Sequence, residues 1–385
     1  MNGNHVKSRT GSGGKESIGW GLFVSICAFL FFCPPVYGEV LEPAAFPSLV
    51  SALNIREPLR LFDEPVPLKS REVKERLERE MLLSLWNRPQ IILWLKRSRR
   101  DLPIIEKLLK KNGMPEDLKY VAVAESALQP HVGSPKGAIG FWQFMAETGR
   151  RYGLRIDERI DERRNIHAST GAAIRYFQEL HGIFNSWTLA AAAFNMGEHG
   201  LKAEILLQGV QDYYRLYLPL ETQRYIFRIL SVKLIFSDPE KYGLKIGEGD
   251  YYPGPAGDRV KVTCLRELPV RLVAEAAKTD FKVIKDLNPE IRGYFLAPGN
   301  YDILIPEGRA RDFHAHLGRL ERSYEEAKDR QVYVVQKGDN LTAIAERYEI
   351  PLPLLIIQNR LDPGRPIHPG DRLIISPPVP EDEDL

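Results

Sequence analysis

The 385-residue chain holds three cysteines. Two of them, Cys27 and Cys33, lie in an N-terminal apolar stretch, which leaves Cys264 for the rest of the chain. A single thiol makes no internal disulfide and no cysteine metal site, so stability has to come from packing. Metal-binding histidine patterns are missing as well. The eight histidines form no HExxH, and the close pair His314 and His316 has i, i+2 spacing, which does not converge on one ion. No metal or other cofactor is expected. Excess charge of one sign is also absent, with 53 basic and 51 acidic residues giving +2. No global basic field exists, so nucleic acid is not an expected partner.

An apolar content of 44% and a charged content of 27% are ordinary globular values. The N-terminus departs from that texture. Lys7, Arg9 and Lys15 precede an uncharged stretch from Ile18 to Cys33, and Val36 and Gly38 stand at the −3 and −1 positions of a cleavage site. Residues 1–38 read as a secretory signal peptide. A short uncleaved anchor, giving membrane association through this segment, is the other reading. A lipoprotein is disfavoured because Cys33 follows Phe31 and Phe32 where small residues are wanted. Removing the segment takes away three basic residues and one acid and leaves a formally neutral chain. Export to the periplasm or cell envelope follows from this reading.

Residues 39–70 are Pro-rich and poorly periodic, a linker or arm. From 71 to 238 the apolar residues recur at i, i+3/i+4, the period of helices. Pro103 is expected to break one of these helices in two, and Gly113 and Gly182 to cap others. "GEGDYYPGPAGDR" (247–259) reads as a linker. An internal repeat follows. Residues 260–306 and 331–377 align without a gap at an offset of 71, matching Asn288 to Asn359, Pro298-Gly299 to Pro369-Gly370 and Ile303 to Ile374. Each unit, 259–306 and 331–377, reads strand, helix, helix, strand. The segment 307–330 between them reads as an exposed helical linker, and 378–385 as a solvated acidic tail.

One carboxylate stands out. In "MPEDLKYVAVAES", Leu118, Val121, Ala122 and Glu125 share one helical face, so Glu125 points where core residues point. Burial of a lone carboxylate raises its pKa, a liability in a scaffold and an asset in a general acid. Ser126 follows at the helix end, where its hydroxyl can bond backbone or substrate. Gly133, Gly137 and Gly140 allow a turning loop before "FWQF". There Trp142 offers either a flat face for a pyranose or a core ring, and Gln143 either a cleft amide or a surface one. In "LAAAAFNMG", Asn195 is either a helix cap or a second cleft amide. Glu221 suits the first turn of the last long helix, four residues before Tyr225.

"ES", "GFWQF" and "AAFNMG", extended by "DERRNI" and "LPLETQRYI", together resemble the family 1 lytic transglycosylases of bacterial cell walls. The resemblance covers roughly Leu102 to Leu234. It implies a goose-type lysozyme-like helical fold, with Glu125 as the one catalytic carboxylate. Ser126, Trp142, Gln143, Asn195 and Tyr225 would serve as substrate or acid positioners. The second repeat resembles a LysM module, a βααβ fold that binds N-acetylglucosamine-containing glycans, with Gly338, Asp339, Asn340 and Leu341 at its binding turn. The expected fold class is therefore α+β and multidomain: a mainly α lysozyme-like domain followed by two small LysM-like modules. Two departures stand out. Phe194 replaces the family's usual Tyr. The first repeat has Glu267, Leu268 and Pro269 in place of Gly338, Asp339 and Asn340, so it lacks the binding turn that the resemblance implies for the second.

The resemblance implies cleavage of peptidoglycan glycan strands between N-acetylmuramic acid and N-acetylglucosamine, closing a 1,6-anhydro ring. A hydrolytic muramidase would need a second cleft carboxylate. The nearest in sequence are Asp157, Glu158, Asp161 and Glu162, in a charge run of the kind that forms a solvated surface. A non-catalytic wall-binding protein is the remaining alternative.

Overall fold

The computed structural model describes residues 47–254, 256–330, 332–362 and 364–375. The segments read as a signal peptide (1–38) and an acidic tail (378–385) lie outside the described residues. Among those described, no helix is long and apolar enough to cross a membrane.

The first part is helical. A short helix, α1 (Leu49–Ala52), precedes a small hairpin of β1 (Arg60–Leu61) and β2 (Glu64–Pro65). Then come α2 (Arg71–Trp86), α3 (Arg88–Lys111), α4 (Lys119–Ser126), α5 (Ala146–Arg151), α6 (Ile166–Phe184), α7 (Trp187–Met196), α8 (Glu198–Gln208) and α9 (Leu220–Ser237). α4 packs against α3 and α9, α9 against α2 and α7, and α6 against α3 and α7. Ala190 to Ala193 of α7 are fully buried. Their small side chains let the neighbouring helices approach closely, which brings the ends of α4, α7 and α9 together.

Several local expectations are corrected. The segment read as a linker or arm contributes Leu59, Leu61, Phe62, Val66 and Leu68 to the main core. Glu64 on the hairpin also caps α7, accepting from Ser186 Oγ, Trp187 N, Thr188 N and Thr188 Oγ1 at 2.5–3.1 Å. A carboxylate there meets the unpaired N–H groups of the helix start. α3 runs unbroken through Pro103, because buried Leu95, Leu102, Ile105 and Leu109 hold both halves to one core. Gly182 lies inside α6, and the left-handed cap is Asn185, with φ of 50°. The 247–259 linker follows α3: Tyr252 N donates to Lys96 O at 2.9 Å, and Arg99 lies over the Tyr251 ring.

The first repeat comprises β3 (Gly257–Cys264), β4 (Leu268–Pro269), α10 (Val270–Ala276), α11 (Phe281–Leu287), β5 (Phe295–Leu296) and β6 (Gly299–Pro306). β3 pairs antiparallel with β6, and β4 with β5. Next comes α12 (Phe313–Arg330), expected to be exposed. It instead packs on α10, with Phe313 and Leu317 buried and Leu320 and Tyr324 against the same core. Those four residues form one helical stripe.

The second repeat is smaller: β7 (Val332–Val334), α13 (Leu341–Arg347), α14 (Leu352–Asn359) and β8 (Arg372–Ile374), with β7 antiparallel to β8. Both repeats use their asparagine identically. Asn288 exchanges two hydrogen bonds with the backbone of Leu304, and Asn359 does the same with Ile374, all at 2.7–2.8 Å. The ungapped match therefore needs a correction in the last strand. The inward residues Ile303 and Ile305 correspond to Leu373 and Ile375, not to Ile374, because a one-residue slip would turn the apolar set outward.

Candidate active site

Glu125 is the next-to-last residue of α4, and the helix ends at once on Ala127 and Leu128, both left-handed with φ of 54° and 58°. Val121 and Ala122 on the same face are fully buried, and Glu125 itself is half-buried. Its Oε1 accepts a 2.5 Å hydrogen bond from the hydroxyl of Tyr225, a buried residue of α9. Arg228, one turn further along α9, lies over the Tyr225 ring at 5.9 Å and donates to Glu221 Oε1 at 2.6 Å.

These neighbours pull the carboxyl in opposite directions. Burial raises the Glu125 pKa and is the largest effect. The Tyr225 hydrogen bond and the Arg228 charge lower it, while Glu221 raises it, and the outcome is a value of about 7. Burial and the adjacent Glu125 push the Tyr225 hydroxyl well above its ordinary value, so it stays a donor. Sequence reading missed Arg228, although its i, i+3 spacing from Tyr225 puts both on one face.

The other expected site residues fall into two groups. Gln143 and Asn195 keep one amide end without a hydrogen bond among the described residues. Gln143, with φ of 48°, uses Nε2 to close the loop onto Val132 O (3.1 Å) and Gly140 O (2.9 Å). Asn195 Oδ1 accepts from Thr222 Oγ1 at 2.9 Å, tying the end of α7 to the start of α9. Both are half-buried.

Ser126 and Trp142 are corrected. The Ser126 hydroxyl is buried and shared between Ala122 O and Phe141 O, so it fastens the loop to α4. Trp142 is fully buried; its Nε1 donates to Thr170 Oγ1 at 3.0 Å and its ring meets Phe177 and Phe194 edge-on. It is core, not a sugar wall. Phe194 stacks on Phe177 with ring centroids 4.7 Å apart, an environment in which a hydroxyl would need a partner.

The loop depends on close backbone approach. At Gly140, with φ of 85°, an added Cβ would lie 1.9 Å from Arg163 O. Arg163 in turn donates to Gly137 O and Phe144 O and pairs with Asp161 through two bonds of 2.8 and 2.9 Å. Burial alone would raise the Asp161 pKa, but Arg163 and Arg164 hold it below the usual carboxylate range. Asp157 caps Arg159 N and Ile160 N, Glu162 Oε2 accepts from Arg155 N at 2.6 Å, and Glu158 is exposed. None of the four carboxylates in the charge run faces Glu125 as a partner; the one that acts on it is Glu221.

A groove of about 310 Å³ opens between α2, α3 and α9, with Glu221 and Arg228 on one side and Leu83, Ser84, Gln90 and Trp94 on the other. Gln90 Nε2 and Trp94 Nε1 are buried without a hydrogen-bond partner among the described residues. Among those residues no group of three or more His, Cys, Asp or Glu could hold a metal ion.

In the second repeat the turn residues have internal work. Asp339 accepts from Tyr333 OH at 2.6 Å and Gln336 N at 2.7 Å, Asn340 caps α13 through Ala343 N, and Leu341 packs on the module core. Gly338 has φ of 94°. The turn's side chains are thus largely spent on its own shape.

Residues 103–216 match the model of the transglycosylase SLT domain, and residues 333–376 that of the LysM domain. The membrane-bound lytic murein transglycosylase D of Escherichia coli K12 is 30% identical over 281 residues, covering 69% of this chain and 61% of that protein. The peptidoglycan transglycosylase gp16 of phage T7 is 36% identical over 98 residues, covering 25% of this chain and 7% of that protein. The solved lytic transglycosylase Slt of Pseudomonas aeruginosa is 18% identical, covering 40% of this chain and 26% of that one, with a TM-score of 0.27. The chain thus spans about three fifths of the E. coli relative's length, 61%. Along the chain the segment that matches the transglycosylase SLT domain precedes the one that matches the LysM domain.

Proposed function

We propose that this chain is a peptidoglycan lytic transglycosylase of the cell envelope that works with Glu125 as its only catalytic carboxylate. The observation that carries the reading is Glu125 itself: half-buried, held by Tyr225, and with a pKa of about 7. A group poised there can give up a proton and take one back at neutral pH. The matched SLT and LysM domains, and relatives named for murein and peptidoglycan transglycosylation, support the substrate class. The leader-like N-terminus and a relative named as membrane-bound support the envelope.

In this mechanism neutral Glu125 protonates the oxygen linking N-acetylmuramic acid to N-acetylglucosamine. The C1–O bond breaks, and the substrate's own acetamido carbonyl meets the charge developing at C1. The Glu125 carboxylate, steadied by Tyr225 and Arg228, then takes the proton of the C6 hydroxyl as that oxygen bonds to C1. A 1,6-anhydro ring forms, no water is added, and Glu125 returns to its neutral form. The groove beside Arg228 receives the glycan. The Gln143 oxygen and the Asn195 nitrogen are an acceptor and a donor for its polar groups, and the LysM domain holds the strand.

The test is digestion of purified sacculi followed by product masses. Anhydro ends, lighter by one water than reducing ends, are the expected product; reducing ends would make the enzyme a muramidase. Glu125→Gln should lower cleavage by at least ~100-fold, since general acid–base work is typically worth 10²–10⁴. Residual activity well above ~1% would remove Glu125 from the role, and a purified chain that binds sacculi without cutting would support the wall-binding alternative.

A further inference from the structure

The two repeats share a frame but not a turn. Where the second repeat has Gly338, the first has Glu267. The Glu267 carboxylate joins three parts of the chain. Its Oε1 meets Arg159 Nη1 at 2.5 Å, from the loop before α6 of the SLT domain. Its Oε2 meets Arg360 Nη1, from the end of α14 in the second repeat. The Arg360 guanidinium also lies 4.8 Å from the ring centre of Phe295, on β5 of the first repeat.

The junction below Glu267 is of a different kind. Asp161 N donates to Glu290 O at 2.9 Å, and Arg292 N to Arg159 O at 2.7 Å. Asn165 Nδ2 donates to Glu290 Oε1 at 2.8 Å, and Ile160 is buried in the first repeat's own core. Backbone pairing and apolar burial resist salt, so the first repeat is fixed to the SLT domain. Among the described residues the second is held by an ion pair, whose Glu267 and Arg360 side chains are 18% and 45% exposed, and by a cation–π contact. Contacts this exposed each shift a docking equilibrium by only a few-fold and are screened by salt. Their effect is amplified because the second repeat is tethered next to its dock.

We propose that the first repeat is an adapter and not a glycan site, and that Glu267 acts through Arg159 and Arg360 as a positioning residue, setting where the second repeat holds the wall relative to Glu125. This rests on reading Glu125 as the cutting group and the second repeat as the wall binder. The consequence is a preferred distance between the point of attachment and the point of cleavage, and so a preferred product length. Raised ionic strength loosens that preference without touching the chemistry.

The test places spin labels on cysteines introduced at the exposed positions Lys110 and Glu346, in the full chain with Cys27, Cys33 and Cys264 replaced by alanine. At low salt one docked distance should dominate. Glu267→Gln, Arg360→Gln, or ~0.5 M salt should each lower the docked-to-undocked ratio by roughly 3- to 10-fold, and both variants should broaden the lengths of the fragments released from sacculi. Arg360→Gln leaves the Arg159 contact in place, so it decides the matter if Glu267→Gln folds poorly. A broad distribution at low salt in the unsubstituted chain, or a ratio indifferent to Arg360→Gln and salt, overturns the proposal. Should the unsubstituted chain give no anhydro ends, the proposed reaction falls, while the distance measurement still judges the positioning role.

Discussion

Tyr225→Phe removes one hydroxyl from a buried ring and leaves its packing intact, and the two effects it should have point in opposite directions. The hydroxyl donates to Glu125 Oε1 at 2.5 Å, so it favours the charged form and holds the carboxyl pKa down against burial. A hydrogen bond to a charged group is worth about 1.5–3 kcal/mol. At about 1.4 kcal/mol per pKa unit, losing it should raise Glu125 by about 1–2 units. In the proposed mechanism the starting form for bond cleavage is the neutral acid, so activity should fall as pH rises through that pKa. With a value of about 7 in the unsubstituted chain, the midpoint of the alkaline limb should move up by about 1–2 pH units. The transition state, however, already carries carboxylate character that the hydroxyl would have stabilised. The rate on the low-pH plateau should therefore drop by roughly 10- to 100-fold. Release of soluble fragments from sacculi, followed from about pH 5 to 10, separates the two. An unmoved midpoint and an unchanged plateau together would mean that Tyr225 acts only as packing. A midpoint that moved down would refute the electrostatic reasoning.

Three further outcomes follow from the same geometry. Glu125→Gln should be more stable than the parent above pH ~7. The folded pKa of about 7 exceeds the ordinary 4.5, so parental stability is lost as pH rises between these values, by about 3 kcal/mol at most. The gap in thermal midpoint should close by pH ~4, and an equal gap at both ends of that range would contradict the linkage. Gly140→Ala and Gly137→Ala share a left-handed backbone, but the former would put a Cβ 1.9 Å from Arg163 O and the latter meets nothing within 4 Å. Gly137→Ala should cost about 1–2 kcal/mol in denaturant unfolding and Gly140→Ala clearly more, with equal costs refuting the close approach. Trp94→Phe removes a buried N–H that lacks a partner among the described residues, which offsets part of the lost packing, so stability should change by less than about 1.5 kcal/mol. Binding of chitotetraose to the Glu125→Gln chain, read by calorimetry, should weaken ~5- to 10-fold if that N–H serves the glycan, and unchanged affinity would remove Trp94 from the groove's function.

Glu125 was legible because helical period alone puts it on the face of Leu118, Val121 and Ala122, and the energetic anomaly of a carboxylate there is visible without coordinates. Tyr225 came only through the resemblance, since nothing in the spacing of α9 says that its hydroxyl reaches a residue 100 positions earlier. Trp142 was misjudged for a different reason. The loop that carries it turns through left-handed Gly137, Gly140 and Gln143, so neither period 2 nor period 3.6 tells which neighbour faces inward. Gln143 ended on the backbone of its own loop and Trp142 in the core, although they are adjacent. α12 failed the opposite way: its stripe of Phe313, Leu317, Leu320 and Tyr324 was readable, but the charges between them suggested a solvated helix, and a stripe means burial once a neighbour such as α10 offers a face. The repeat carries the same logic to the site scale. Sequence identity fixed the helices of the two modules in one register, while the strands followed the asparagine that ties them to α11 and α14, one residue away. Likewise the loss of Gly-Asp in the first repeat could be seen as a lost binding turn. That the replacement, Glu267, had acquired two arginine partners, one from the helical part and one from the second repeat, depends on contacts that close only after all three parts have folded. A degenerate repeat is therefore better tested for what its altered residues now touch than for how much of the old function remains.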